Sequence, residues 1–170
     1  MTRDTAPVLF TLGHSNHGWD AFLALLRGHG IGALADVRSR PRSRFPHFNQ
    51  KQMIPELEKT GIAYRWFGAT LGGKPEDPTL LDGGGTPDYA AIAATESFAL
   101  SIDDLVALAC AEAAAGGCPA IMCSEGDPLR CHRTLLIAPA LRNRGVEVRH
   151  ILPGGGIMED RERKEQLALF

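Results

Sequence analysis

The residues best suited to chemistry crowd between Ile121 and Arg133, where Cys123, Glu125, Asp127, Arg130, Cys131, His132 and Arg133 follow an apolar run. A thiolate is a strong nucleophile, and neighbouring cations or a helix N-terminus favour its formation. Cys123 is therefore a candidate nucleophile or redox-active thiol. The alternative is a structural thiol at a strand end, since free cysteine is a common core residue. His132 is a candidate proton carrier near neutral pH. Glu125 and Asp127 could share acid and base roles if burial separated their pKa values. Asp127 is equally suited to cap a helix that Pro128 begins. The loop departs from phosphatase cysteine loops: Arg130 lies seven residues beyond Cys123, a longer spacing, and two carboxylates would repel a phosphate dianion. Cys123, Cys131 and a histidine from another loop also make a conceivable zinc set. The eight-residue separation is too wide for a zinc knuckle, and adjacent helical residues point apart, so no metal is assigned. A Cys123–Cys131 disulfide is the reversible alternative; a reducing compartment disfavours it as a permanent bond.

A second concentration lies at Asp36 to Arg44. Arg38, Arg40, Arg42 and Arg44 alternate there, and Phe45, His47 and Phe48 follow. In an extended segment alternate residues share a face, so the guanidinium groups could grip phosphates by forked hydrogen bonds. The aromatics could stack on a base. The plainer alternative is a solvated loop whose arginines pair with carboxylates. Asp36 could orient an arginine, act as a base or bind a ribose hydroxyl. Ser43 belongs to the same candidate anion site, as does Arg133. His14, with Ser15 and Asn16, is a second candidate proton carrier or a turn-stabilising histidine. Gly72 and Gly73, beside Lys74, would let backbone approach a phosphate.

The elements that must position these residues are short apolar runs alternating with helical patterns. Strands are expected near Val8 to Leu12, Ile31 to Val37, Ile62 to Phe67, Pro119 to Cys123 and Val146 to Leu152. Helices are expected over Trp19 to His29, over Gln50 to Thr60, from Tyr89 to Ala115 with Ser101 as a cap, and from Asp127 to Gly145. Unbroken apolar strands between helices predict a three-layer α/β domain with a five-stranded, mostly parallel sheet. One domain spanning 1–170 is expected, with its core at about 8–152 and a C-terminal tail from 153. Ligands of such sheets bind at the carboxyl ends of the strands. His14 to Asn16, Asp36 to Arg44, Gly68 to Gly73, Cys123 to Arg133 and His150 would converge there. The Gly- and Pro-rich stretch from Gly68 to Asp88 is a long irregular excursion of the kind that carries function or disorder.

The totals bound the class. The 170 residues carry 18 Lys and Arg against 20 Asp and Glu, a net charge of −2, which excludes a wholly basic nucleic-acid coat but not a local basic patch. Four cysteines are too few for a secreted disulfide scaffold. With no signal-like leader and no long apolar run, a cytoplasmic protein off the membrane is expected.

The ordered motifs Gly13-His14-Ser15-Asn16, Asp36-Val37-Arg38 with Pro41 and Ser43, Leu71-Gly72-Gly73, Cys123-Ser124-Glu125 with Asp127-Pro128 and Cys131-His132-Arg133, and His150-Ile151 resemble the prokaryotic domain-of-unknown-function family numbered 488. The likeness runs over roughly residues 8–152, and its most specific part is Cys123 to Arg133. It implies a small α/β domain with a shared site and no established reaction. The chemistry is therefore an expectation from residues: a cysteine-dependent enzyme acting on a phosphate-bearing small molecule or nucleotide, with no cofactor. The alternatives are a nucleic-acid or anion-binding module with structural cysteines, and a Cys/His metal site.

Overall fold

A computed structural model of the protein describes residues 5–160. The chain runs β1 (Val8–Gly13), α1 (Trp19–Gly28), β2 (Ile31–Asp36), α2 (Gln50–Glu58), β3 (Ala63–Trp66), α3 (Gly68–Leu71), α4 (Tyr89–Ala93), α5 (Glu96–Ala114), β4 (Cys118–Cys123), α6 (Ala138–Arg142), β5 (Glu147–Ile151) and β6 (Ile157–Glu159). The strands form one sheet in the order β3-β2-β4-β1-β5-β6. The five expected strands are parallel throughout.

Alternation along the strands divides the interior into two clusters. Leu9, Ala35, Ile121 and Val148 pack on one side with Phe98, Ile102 and Leu105 of α5 and with Leu141 of α6. Phe10, Leu34, Ala120 and Met122 face the other cluster, with Phe22 and Leu26 of α1 and Met53 and Leu57 of α2. Neighbours such as Leu9 and Phe10 belong to opposite clusters because successive side chains of a strand point to opposite faces. Both faces are thus covered, as the unbroken apolar strands predict.

The sheet has six strands, not five. Gly155, at φ +90°, turns the chain after β5, and β6 returns antiparallel to it. Three residues of mixed polarity carry no periodic signal, so this strand is set by its turn and its neighbour. The expected charged tail therefore begins inside the fold: Asp160 is buried, bonded to His150 and ion-paired with Arg142. The terminal Leu167 to Phe170 lies outside the described residues. The cap of α5 is Thr95, whose hydroxyl accepts from Phe98 N–H at 3.2 Å; Ser101 sits inside the helix and bonds the Thr70 hydroxyl. Among the described residues no helix is long and apolar enough to cross a membrane.

The parallel register brings the strand ends of β1, β2 and β4 together. Gly13 stands opposite Cys123, and Asp36 opposite Met122. Backbone bonds extend this register past the sheet, from His14 N–H to Cys123 O at 2.8 Å and from Val37 N–H to Met122 O at 3.0 Å. Three loops therefore leave the sheet side by side.

Candidate active site

Cys123 ends β4 and forms part of the floor of a cleft of about 1060 Å³. Its Sγ lies 2.7 Å from Cys131 Sγ and receives the Glu125 N–H at 3.3 Å. The chain folds back this tightly because it does not continue from Asp127 into a regular helix, as the sequence suggests. Pro128–Arg130 makes one 3-10 turn, with the Asp127 carboxylate accepting from Leu129 N–H at 2.9 Å. Cys131 is then extended (φ −122°, ψ 144°), and a π-helical turn, Arg133–Ile137, leads into α6. Irregular turns of this kind recur at functional sites. The break lets Cys131 and His132, adjacent in sequence, face the same place. It also removes the expected helix dipole; the Glu125 N–H is the backbone donor that reaches the sulfur.

His132 is held in one orientation. Its Nε2 lies 3.1 Å from Val37 O. A carbonyl only accepts, so Nε2 carries the proton and neutral His132 presents a bare Nδ1, 3.7 Å from Cys131 Sγ. Gly73 presses on the same ring: a Cβ there would lie 2.7 Å from His132 Cγ. The Ser39 hydroxyl accepts the Lys74 N–H at 2.9 Å and anchors this glycine loop to the arginine loop.

The two sulfurs share one negative charge. Hydrogen-bond donation from Cys131, with the charge of Arg133, holds Cys123 well below the ordinary thiol value of 9.0, against the opposing effect of burial. Cys131 moves upward, chiefly because its proton is held by Cys123 and further because it is buried. Arg133 is fully buried. Its Nη2 donates to Gly126 O at 3.3 Å, while Nε and Nη1 have no hydrogen-bond partner among the described residues. Burying an unpaired cation costs several kcal/mol, so a thiolate nearby offsets what the backbone leaves unmet. Gly13 permits this crowding, because a side chain there would strike the Glu125 carbonyl and come 2.9 Å from Arg133 Nη1.

Cys123, Cys131 and His132 are also the group of ligand-type atoms that lie within 4.8 Å of one another. Their spacing suits a sulfur pair better than a metal. Two thiolates on a tetrahedral zinc at ~2.3 Å would stand roughly 3.8 Å apart, and here they are 2.7 Å apart.

The arginine row divides in two. Arg38 is buried and bound on every nitrogen: Nε to Asp36 Oδ1 at 2.9 Å, Nη2 to Asp36 Oδ2 at 2.7 Å, Nη1 to Phe48 O at 2.8 Å. Tyr64 completes the cluster by donating to Asp36 Oδ2 at 2.6 Å. Its hydroxyl is pushed far above the usual phenol range by burial and by that carboxylate. Asp36 thus orients an arginine, the first of its three candidate roles. Arg40, Arg42 and Arg44 alternate on the exposed side. Arg40 reaches Glu76 at 3.6 Å, and Arg44 lies over the Phe45 ring.

Arg40, Arg42, Lys74 and Arg130 line the cleft together with Glu125 and Tyr89. Ser43 and His14 instead line an adjoining groove of about 610 Å³ that shares Arg42, Ser124 and Glu125 with it. Ser43 is occupied in its own turn, accepting the Phe45 N–H at 3.0 Å. His14 is stacked on Phe48 and donates from Nδ1 to Ser15 O at 2.9 Å, leaving a buried Nε2 without a partner among the described residues. Burial lowers its pKa below 6.5. The Glu125 carboxylate accepts the Asp127 N–H at 3.0 Å, so both acids are tied into the loop and exposed. Gly72 is buried against Ser39. His150 is fully buried between Thr11 and Asp160, away from the cleft. Ser39, Lys74 and Tyr89 were not expected in the site. None has a motif of its own: Lys74 lies in the Gly- and Pro-rich excursion, Ser39 in the arginine loop, and Tyr89 opens α4.

No curated protein and no solved structure matched the chain. A family model did, over residues 18–139, which include both arginine and cysteine loops. By that match the chain belongs to the family described as domain of unknown function DUF488.

Proposed function

We propose that the protein is a cysteine-dependent enzyme acting on a phosphate-bearing small molecule, a nucleotide among them. The observation that carries this reading is the position of Cys123. Its sulfur faces a cleft, accepts from Cys131 and Glu125 N–H, feels the buried Arg133 charge, and has Arg40, Arg42, Lys74 and Arg130 lining the same cleft. Cys123 acts as nucleophile and His132 as proton carrier. The exposed guanidinium groups hold the anionic part of the substrate by charge and forked hydrogen bonds. Asp36 and Arg38 fix the course of the loop that carries them. Glu125 and Asp127 shape the turn under the sulfur.

The exposed row Arg40, Arg42 and Arg44 also supports a second reading, an anion- or nucleic-acid-binding module in which the cysteines are structural. One comparison separates the two. Alkylation with iodoacetate and with neutral iodoacetamide is followed at Cys123 and at exposed Cys110. A thiolate in a cationic cleft reacts at a pH where Cys110 is inert, and it prefers the anionic reagent relative to Cys110. Equal behaviour at the two cysteines overturns the enzyme reading and leaves the binding module.

A further inference from the structure

We infer that Cys123 and Cys131 are a nucleophilic and a resolving thiol, and that the substrate is a small disulfide carrying phosphate. The inference rests on the proposed function and narrows it. A phosphoryl or acyl group on Cys123 leaves by attack of water, and a second sulfur 2.7 Å away contributes nothing to that step. A sulfur adduct is different, because only another thiolate removes it and retains the oxidation as a protein disulfide. Bond formation at ~2.05 Å asks the two sulfurs to close by roughly 0.7 Å.

The electrostatics supply an order of events. In the resting site the charge sits on Cys123 and the proton on Cys131. The Cys123 thiolate attacks one sulfur of R–S–S–R′, the S–S bond breaks, and R′S⁻ leaves with the electron pair. Cys123 is then a neutral mixed disulfide. The main influence holding the proton on Cys131, its bond to the Cys123 thiolate, has gone. His132 Nδ1, 3.7 Å from that sulfur and bare because Nε2 is committed to Val37 O, takes the proton. The Cys131 thiolate attacks Cys123 Sγ, and RS⁻ departs and collects the proton from His132. Two protein thiols have been oxidised and one disulfide reduced; a thiol of the cell returns the pair to its starting state. The buried Arg133 charge favours the anionic form of either sulfur. The exposed Arg40, Arg42 and Arg130 select for phosphate on R. The adjoining groove under Arg42 and Phe45 has room for the rest of a nucleotide.

The test uses coenzyme A disulfide as the phosphate-bearing probe and hydroxyethyl disulfide as the neutral one, with mass mapping of all cysteines. The wild-type chain should release two thiols from coenzyme A disulfide and end with a Cys123–Cys131 bond. The Cys131→Ser variant should release one and stop as a mixed disulfide on Cys123. The charged probe should react about tenfold faster or more at low salt, a margin that shrinks as salt is added. A mixed disulfide that persists in the wild-type chain removes the resolving role while leaving the nucleophile intact. Equal rates for both probes at all salt concentrations overturn the substrate class. Inert Cys123 overturns this inference and the proposed function together. Stoichiometric zinc that protects both thiols in the purified chain also defeats the sulfur pair.

Discussion

Two buried polar clusters stand at the ends of neighbouring strands, and they differ in completeness. At the end of β2, Asp36, Arg38 and Tyr64 meet each other and the Phe48 carbonyl, so every guanidinium nitrogen is answered. At the end of β4, Cys123, Cys131, His132 and Arg133 leave two guanidinium nitrogens and one imidazole nitrogen without a full partner, under an open cleft. A satisfied buried network rigidifies a fold; a partly satisfied one needs a reason. The first cluster is architecture that aims a loop. The second keeps groups available for a reacting molecule.

Substitutions can break this contrast. Asp36→Ala leaves the Arg38 charge buried and alone, and should cost about 3–5 kcal/mol in urea unfolding. Tyr64→Phe removes one hydrogen bond to a carboxylate and should cost roughly 1.5–3 kcal/mol, with Cys123 alkylation unaltered. If Tyr64→Phe slows alkylation as much as it lowers stability, the two clusters are one. Arg133→Met exchanges an incompletely bonded buried charge for an apolar chain. Unlike Asp36→Ala, it should be nearly neutral to stability. It should also move Cys123 alkylation to higher pH, because the thiolate loses a favourable charge. Gly73→Ala places a methyl group against the His132 ring. Single-turnover traces should then show release of the second thiol slowed several-fold and release of the first unchanged.

The smallest effect concerns His14, another residue with a buried, unanswered nitrogen among the described residues. Burial depresses its pKa from 6.5. Between the depressed value and 6.5 the unfolded chain binds a proton that the folded chain refuses. Stability therefore rises with pH through that window, and the contribution of His14 is flat on either side of it. Thermal melts should show this slope in the wild-type chain and a shallower one in His14→Gln.

Much of the fold was legible because it rests on periodicity. Five apolar strands between amphipathic helices specify a parallel sheet, and the carboxyl-edge rule then places Cys123 and the arginine loop at one cleft. β6 was not legible, since three residues after a run of glycines have no period to read. The site was half visible. Alternation identified Arg38, Arg40, Arg42 and Arg44 as one row; Asp36, two residues away, hinted at a partner for Arg38, but its burial also depends on Phe48 and Tyr64, which only the folded chain brings to it. The meeting of Cys131 and His132 was hidden for a local reason: helix geometry would point them apart, and nothing in the sequence states that the chain is extended at Cys131. Ser39 and Lys74 entered through a loop contact that only the folded chain defines.

The most direct test is a pH titration of thiolate ultraviolet absorbance in the wild-type chain against Cys123→Ser. One thiolate equivalent should form well below the ordinary thiol value of 9.0 in the wild type and be missing from the variant. Superimposable curves that rise together near the ordinary thiol pKa would mean that Cys123 carries no charge at rest, and would contradict the account.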